Sequence, residues 1–199
     1  MKNKKSALLI FIKNVEKGKV KTRLAATVGD DRALEIYQAL LGHTRKIAAA
    51  TDVERYLFYS QFIEKEDAWP NADFQKLLQI QGGLGEKMAE GFRHAFQQHE
   101  KVVIVGSDCA SLTEEIVADA FKILDEKDFV IGPAIDGGYY LIGMRQFSPE
   151  VFQNIEWSTE AVFPDTVKKI EGLRKTFGLL PELSDIDFEE DWEKYGWEI

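Results

Sequence analysis

The stretch Val102-Val-Ile-Val-Gly-Ser-Asp-Cys109 decides how this chain is read. Four consecutive β-branched residues with no polar alternation suit a strand buried on both faces, the kind found in a helix-flanked parallel sheet. The run stops at Gly106, and Asp108 then places a carboxylate just past the strand's carboxyl end. A charge in that position is costly unless something meets it. Capping its own turn is one use. Sharing a divalent cation with substrate phosphates is another, since Mg2+ commonly takes one or two carboxylates plus substrate oxygens.

Outward from this strand the pattern alternates. Ala7 to Ile12 is a second continuous apolar run, and Val53 to Tyr59, Leu77 to Ile80, Phe129 to Gly132, Tyr139 to Met144 and Arg174 to Leu180 are further strand candidates. Between them lie helical stretches: Asp30 to Ala50, with Leu34, Tyr37, Leu41 and Ile47 near one face; Glu86 to Gln98, with Met88, Phe92 and Phe96 on one side; Glu114 to Asp125 behind a capping Thr113; and Thr159 to Glu171, where Pro164 delays the start. Ser148-Pro149 reads as an N-cap and first helical residue, and Asp185 to Tyr195 as an acidic terminal helix. Alternating strands and helices predict a single α/β domain over residues 1–199, with a mainly parallel sheet flanked by helices. Ligands of such sheets sit beyond the strands' carboxyl ends. That singles out the loops Lys13 to Arg23, Gly106 to Cys109 and Pro133 to Gly138.

Composition narrows the function classes. The 199 residues are 45% hydrophobic and 30% charged, which excludes disordered and low-complexity chains. One Cys excludes an internal disulfide framework, and three scattered His argue against a His-based metal site. A net charge of −9 argues against general nucleic-acid binding. The charge is uneven: Met1 to Arg23 holds eight Lys or Arg and one Glu, a local +7 on an acidic body. No run reaches the roughly 20 apolar residues of a membrane span. The Ala7 to Ile12 run is too short for a signal peptide, so a cytoplasmic location is expected.

Lys13-Asn-Val-Glu-Lys-Gly-Lys-Val-Lys-Thr-Arg-Leu24 concentrates Lys13, Lys17, Lys19, Lys21 and Arg23. Such side chains suit a diphosphate, with Arg as a planar fork, Lys as a mobile point charge and Thr22 as an added hydroxyl donor. The Walker spacing and the GxGxxG fingerprint are both absent, and a single Gly18 cannot build a glycine nest. A solvated basic surface is the competing reading. In Ile135-Asp-Gly-Gly-Tyr-Tyr140, Gly137 and Gly138 allow close backbone approach, Asp136 adds a loop carboxylate, and the tyrosines offer rings for stacking. A plain hairpin turn accounts for the same Asp-Gly. Cys109 reads as a small buried residue, and Asp185 and Asp187 as a solvated helix start.

Together these segments resemble the bacterial glycosyltransferase-A-like family known as domain of unknown function 2064, some members of which are described as arsenosugar-biosynthesis glycosyltransferases. The resemblance rests on Phe11-Ile-Lys13, Gly18-Lys-Val-Lys-Thr-Arg-Leu24, Gln81-Gly-Gly-Leu-Gly-Glu-Lys-Met88, Gly106-Ser-Asp-Cys109, Gly132-Pro-Ala134, Asp136-Gly-Gly-Tyr-Tyr-Leu-Ile-Gly143 and Trp157-Ser-Thr159, in order across most of the chain. It implies the nucleotide-diphospho-sugar transferase fold, with Asp108 as the metal-binding carboxylate for Mg2+ or Mn2+. It also implies that Lys13, Lys21, Thr22, Arg23, Gln81, Gly83 and Ser107 surround the nucleotide and its phosphates, and that Asp136 lies on the acceptor side. The ending Ser184-Asp-Ile-Asp-Phe-Glu-Glu-Asp191 is similar to the acidic ending of related nucleotidyltransferases. After Cys109 the family pattern has Pro and an acidic residue, where this chain has Ala110 and Ser111.

Three readings follow. The first is a metal-dependent transferase that takes a nucleotide-diphospho-sugar and glycosylates a small-molecule acceptor, with Asp136 as general base. The second is a guanylyltransferase-like nucleotidyltransferase acting on an NTP and a phosphorylated acceptor. Such enzymes generally carry several glycines in the first loop, so the lone Gly18 favours the first. The third is a non-catalytic nucleotide-binding domain. The sequence leaves donor sugar, base, acceptor and oligomeric state open.

Overall fold

Alternate residues of the central strands pack on opposite faces of one seven-stranded sheet. The computed structural model describes residues 3–199, with side chains from Lys5 onward; Met1 and Lys2, part of the basic amino-terminal stretch, lie outside the described residues. The strands are β1 (Asn3–Ile12), β2 (Val53–Tyr59), β3 (Gln75–Leu78), β4 (Lys101–Val105), β5 (Phe129–Pro133), β6 (Tyr139–Met144) and β7 (Phe177–Leu179). Their order is β3-β2-β1-β4-β6-β5-β7. The sheet is mainly parallel, but β6 runs antiparallel to both β4 and β5. The reversal follows from the Asp136-Gly-Gly138 turn, which returns the chain as a hairpin with no room for a crossover helix.

The helices are α1 (Thr22–Val28), α2 (Asp30–Ala50), α3 (Leu84–Ala95), α4 (Glu114–Glu126), α5 (Val162–Gly172) and α6 (Glu189–Tyr195), with a 3-10 turn at Pro149–Phe152. Leu8, Ile10, Val103, Val105 and Leu141 face α2 and α4, packing with Tyr37, Leu41, Val117 and Leu124. Leu9, Val102, Ile104, Ile142 and Met144 face the other way, onto Met88 and Phe92 of α3, Phe152 and Ile170. Period-2 burial on both faces is the physical meaning of the unbroken apolar runs.

Several boundaries differ from expectation. Strand β3 ends at Leu78, because the Gln79 side chain turns inward and its Nε2 donates to the carbonyls of Ile12 and Phe58 at 3.1 and 3.0 Å. Helix α3 begins two residues early, where the Glu86 carboxylate accepts from the Gly83 N–H at 2.8 Å. The acidic terminal helix begins only at Glu189, and Ser148 makes no side-chain cap to the 3-10 turn. Helix α1 has no counterpart in the sequence reading. Its seven residues bury a single side chain, Leu24, which is too little periodicity to detect. Thr113 caps α4 as its position predicts, accepting from Ile116 N–H at 3.3 Å.

Candidate functional site

Strands β1, β2 and β4 finish side by side, with Ile12 opposite Tyr59 and Ile10 opposite Val105. Because β6 is reversed, its amino end meets these carboxyl ends, bringing the Asp136 turn to the same edge of the sheet. A cavity of about 900 Å3 opens there, lined among others by Lys13, Lys21, Arg23, Asp108, Asp136 and Asp187. The loop after β1 is fastened at its root. The Tyr37 hydroxyl accepts from Lys13 N–H and donates to Lys13 C=O, each at 2.9 Å. Asn14, also buried, donates through Nδ2 to the Phe62 carbonyl at 2.8 Å and accepts from Gln61 N–H at 2.9 Å.

Lys21 is the hub of one end. Its side chain is 4% exposed, and its ammonium lies 2.8 Å from Asp108 Oδ1 and 3.9 Å from Asp187 Oδ1. It also donates to the Ile186 carbonyl at 2.7 Å. Lys21 adopts a left-handed backbone, φ 48 and ψ 44, immediately before α1. For a residue with a Cβ that conformation costs about 1–2 kcal/mol, and it persists only where surrounding contacts enforce it. Arg23 lies one residue into α1, more exposed, and pairs with Asp187 Oδ2 at 3.0 Å.

The partners arrive on an extended segment that leads from β7 toward α6. Ile186 N–H donates to Asp108 C=O at 2.9 Å, Leu183 bridges Ala134, and the Tyr140 hydroxyl donates to Pro181 C=O at 3.0 Å. Gly132 makes room for that tyrosine ring, since a Cβ there would lie 2.3 Å from Tyr140 Cζ. Ile186 is fully buried against Leu24, Ile36 and Leu40, which leaves Asp185 and Asp187 on the other side of the extended chain. The solvated-helix reading of these two acids is therefore corrected: they precede the helix, and Asp187 lines the cavity. Burial, and then the charge of Asp108, push the Asp185 carboxyl up to about 7, with Lys21 opposing the rise and Asp136 and Asp187 adding to it. Burial pushes the Cys109 thiol up to about 12, so it is an inert packing residue, as its sequence context suggests.

The opposite end is assembled from two turns. Gly137 has φ +87, and a Cβ on it would lie 2.4 Å from the Glu160 Cα. Its carbonyl accepts from Phe163 N–H at 2.8 Å, locking the β5–β6 turn to the segment before α5. Trp157 on that segment fills a notch at Gly85 of α3, where a Cβ would come within 2.8 Å of the indole. This shelf carries Ser158, Thr159 and Glu160 to the cavity wall, with Ser158 held at φ 66. Asp136 Oδ1 accepts from Gly138 N–H at 2.9 Å, so one oxygen serves the turn. Neither Asp136 nor Glu160 has an ion-pair partner among the described residues.

Lys13, Lys21, Thr22, Arg23, Ser107, Asp108 and Asp136 thus share one cavity. Gln81 and Gly83 do not line it; they sit exposed on the approach to α3, and Leu84, Lys87 and Met88 take the wall instead. The Gly83 N–H is already taken by Glu86. Lys17 and Lys19 pair with Asp31 at 2.6 Å and Glu16 at 2.8 Å, which fits the solvated-surface reading for those two alone. Sequence reasoning missed Asp187, Ser158 and Glu160 as wall residues. The alternation Asp-Ile-Asp, with one apolar residue between two acids, is the signal for the first.

For a divalent cation the donor chemistry fits. Asp108, Asp185 and Asp187 offer hard carboxylate oxygens. With Asp136 they outnumber Lys21 and Arg23; burial first, and then the neighbouring carboxylates, raise the Asp185 carboxyl. Among the described residues no three Asp, Glu, His or Cys side chains form a ready-made metal cage. An ion here would need substrate oxygens to complete its shell.

Comparison with known proteins bears on the family. A family of uncharacterized proteins conserved in bacteria, DUF2064, matches residues 43–159. The chain belongs to the DUF2064 family. Its fold is similar to that of a proposed nucleotide-diphospho-sugar transferase from Desulfovibrio desulfuricans, with 34% identity and TM-score 0.87 over 94% of this chain and 84% of the other. An inositol-1-phosphate CTP transferase from T. maritima is similar at 11% identity and TM-score 0.56, over 94% and 91%. A Mycobacterium tuberculosis protein in complex with manganese is similar at 11% and 0.56, over 96% and 97%. These last two share the fold alone. No curated protein matches this DUF2064 chain. No helix among its described residues is long and apolar enough to cross a membrane.

Proposed function

We propose that this protein transfers a sugar from a nucleotide-diphospho-sugar to a small-molecule acceptor, with Mg2+ or Mn2+ at Asp108. The carrying observation is the pair of buried Lys21 with cavity-facing Asp108 at the carboxyl end of β4, set in a cavity shared by the basic loop and the Asp136 turn. Similarity to the Desulfovibrio desulfuricans protein supports it.

Lys13, Lys21 and Arg23 would meet the diphosphate, whose negative charge grows as the bond to the sugar's anomeric carbon breaks. Asp108 and Asp187 would hold the cation, which when bound would help offset that charge. Tyr139 and Tyr140, with Gly137 held back against Glu160, leave space for the sugar between the two ends. Asp136 keeps one oxygen outside the turn and would take the proton as the acceptor hydroxyl attacks. The loop after β1 holds a single glycine, Gly18, which disfavours a triphosphate cradle.

The test is product analysis with panels of nucleotide sugars and NTPs, with and without Mn2+. Released nucleoside diphosphate with a sugar on the acceptor is expected. Pyrophosphate released from an NTP would replace this reading with nucleotidyl transfer, and turnover of neither would leave a binding domain.

A further inference from the structure

The Lys21 ammonium donates to the Ile186 carbonyl at 2.7 Å and forms ion pairs with Asp108 Oδ1 at 2.8 Å and, more loosely, Asp187 Oδ1 at 3.9 Å. The side chain is 4% exposed, whereas its carboxylate partners are 43% and 37% exposed. The cation is therefore inside and the anions face the cavity. A lysine placed only to bind an incoming phosphate would leave its ammonium in the open. This one sits between the two carboxylates that would share a divalent ion, and Arg23 claims the second oxygen of Asp187 at 3.0 Å. Lys21 nonetheless lines the cavity, and a lysine is a point charge on a flexible stem that can redirect to a new anion.

We propose that Lys21 keeps the Asp108–Asp187 site closed to a divalent cation until a diphosphate enters. The role rests on the diphosphate reading above. Without ligand the ammonium neutralises the facing carboxylates, and a metal ion entering beside it would meet a like charge at short range. A diphosphate supplies new anionic oxygens, draws the ammonium to itself and frees Asp108 for the cation. Nucleotide would then bind before metal. Lys21 acts here as a positioning residue, setting the order of assembly.

The test uses Mn2+ alone and inorganic pyrophosphate as probes. Manganese electron spin resonance should show Mn2+ binding to Lys21→Met at least tenfold more tightly than to the unaltered protein, with Lys21→Arg resembling the latter. Equal Mn2+ affinity in Lys21→Met and the unaltered protein overturns the proposal. A measurement on the unaltered protein serves should Lys21→Met not fold. The 15N resonance of the Lys21 ammonium, assigned through Lys21→Arg, should survive Mn2+ alone and shift on adding pyrophosphate. Loss of that signal to Mn2+ alone means that metal enters beside the lysine, which also overturns the role. If pyrophosphate neither binds nor shifts the signal, the diphosphate reading falls with it; a normal pyrophosphate response with unchanged Mn2+ affinity removes the Lys21 role alone.

Discussion

At one end of the cavity Lys21 and Arg23 are matched to Asp108 and Asp187; at the other, Asp136 and Glu160 face no ion pair among the described residues. The first end is stitched from three distant segments, the loop after β1, the end of β4 and the strand-like approach to α6. The second is held by backbone fit, Gly137 against Glu160 and Trp157 in the Gly85 notch. Paired charges on a braced frame suit a highly charged group that can re-pair with them as it binds. Unpaired carboxylates on a rigid turn suit proton transfer from a neutral hydroxyl. Under the proposed function, donor phosphates would bind at the first end and acceptor chemistry would occur at the second.

The strongest break of this division is Asp136→Asn. Transfer should fall by roughly 10²- to 10⁴-fold, the usual worth of a general base, while donor affinity by calorimetry stays near normal. Loss of both, with a lower melting temperature, would mean that the carboxylate only serves the turn. Glu160→Gln sharpens the same point: a larger loss there than in Asp136→Asn would move the base one turn along the shelf.

Arg23→Ala probes the other end. Nucleotide affinity should drop by roughly 10- to 100-fold, the worth of one charge-assisted hydrogen bond, with the melting temperature unchanged. Unaltered affinity would return Arg23 to the surface, as already holds for Lys17 and Lys19.

Much of this was legible in the sequence and some was not, for identifiable reasons. Strands with unbroken apolar runs, such as Val102 to Val105 and Ala7 to Ile12, announce themselves because burial on both faces leaves no other composition. Helix α2 is found at its observed bounds because 21 residues give several turns of periodicity. Asp108, Lys21 and Arg23 were marked by position, a charge just past a buried strand or in its partner loop. What local pattern did not carry was which charges neutralise each other. The contact from Lys21 to Ile186 spans 165 residues, and a lysine aimed at carboxylates reads the same in sequence as one aimed at phosphate. Asp187 was obscured for the same reason, and Glu160 because long-range contacts, Gly137 against it and Trp157 against Gly85, bring it to the wall.

Two smaller effects refine the comparison through stability. Gly137→Ala places a Cβ within 2.4 Å of backbone at a positive φ, so it should cost about 2 kcal/mol or more and lower the melting temperature. It should impair transfer more than nucleotide binding; equal impairment would show the two ends to be one unit. Asp185→Asn removes a half-buried carboxylate crowded by Asp108, Asp136 and Asp187, and should raise stability in metal-free buffer by about 1 kcal/mol. A lower melting temperature would mean that this carboxylate holds the segment in place.

Under the proposed function, the Lys21–Asp108 end holds a nucleotide diphosphate together with a divalent cation. Calorimetric titration of nucleoside diphosphates into the unaltered protein and Asp108→Asn, each with and without Mn2+, tests it most directly. Mn2+ should strengthen binding to the unaltered protein and have no effect on Asp108→Asn, which keeps the shape and loses the charge. The same Mn2+ enhancement in both proteins would contradict it.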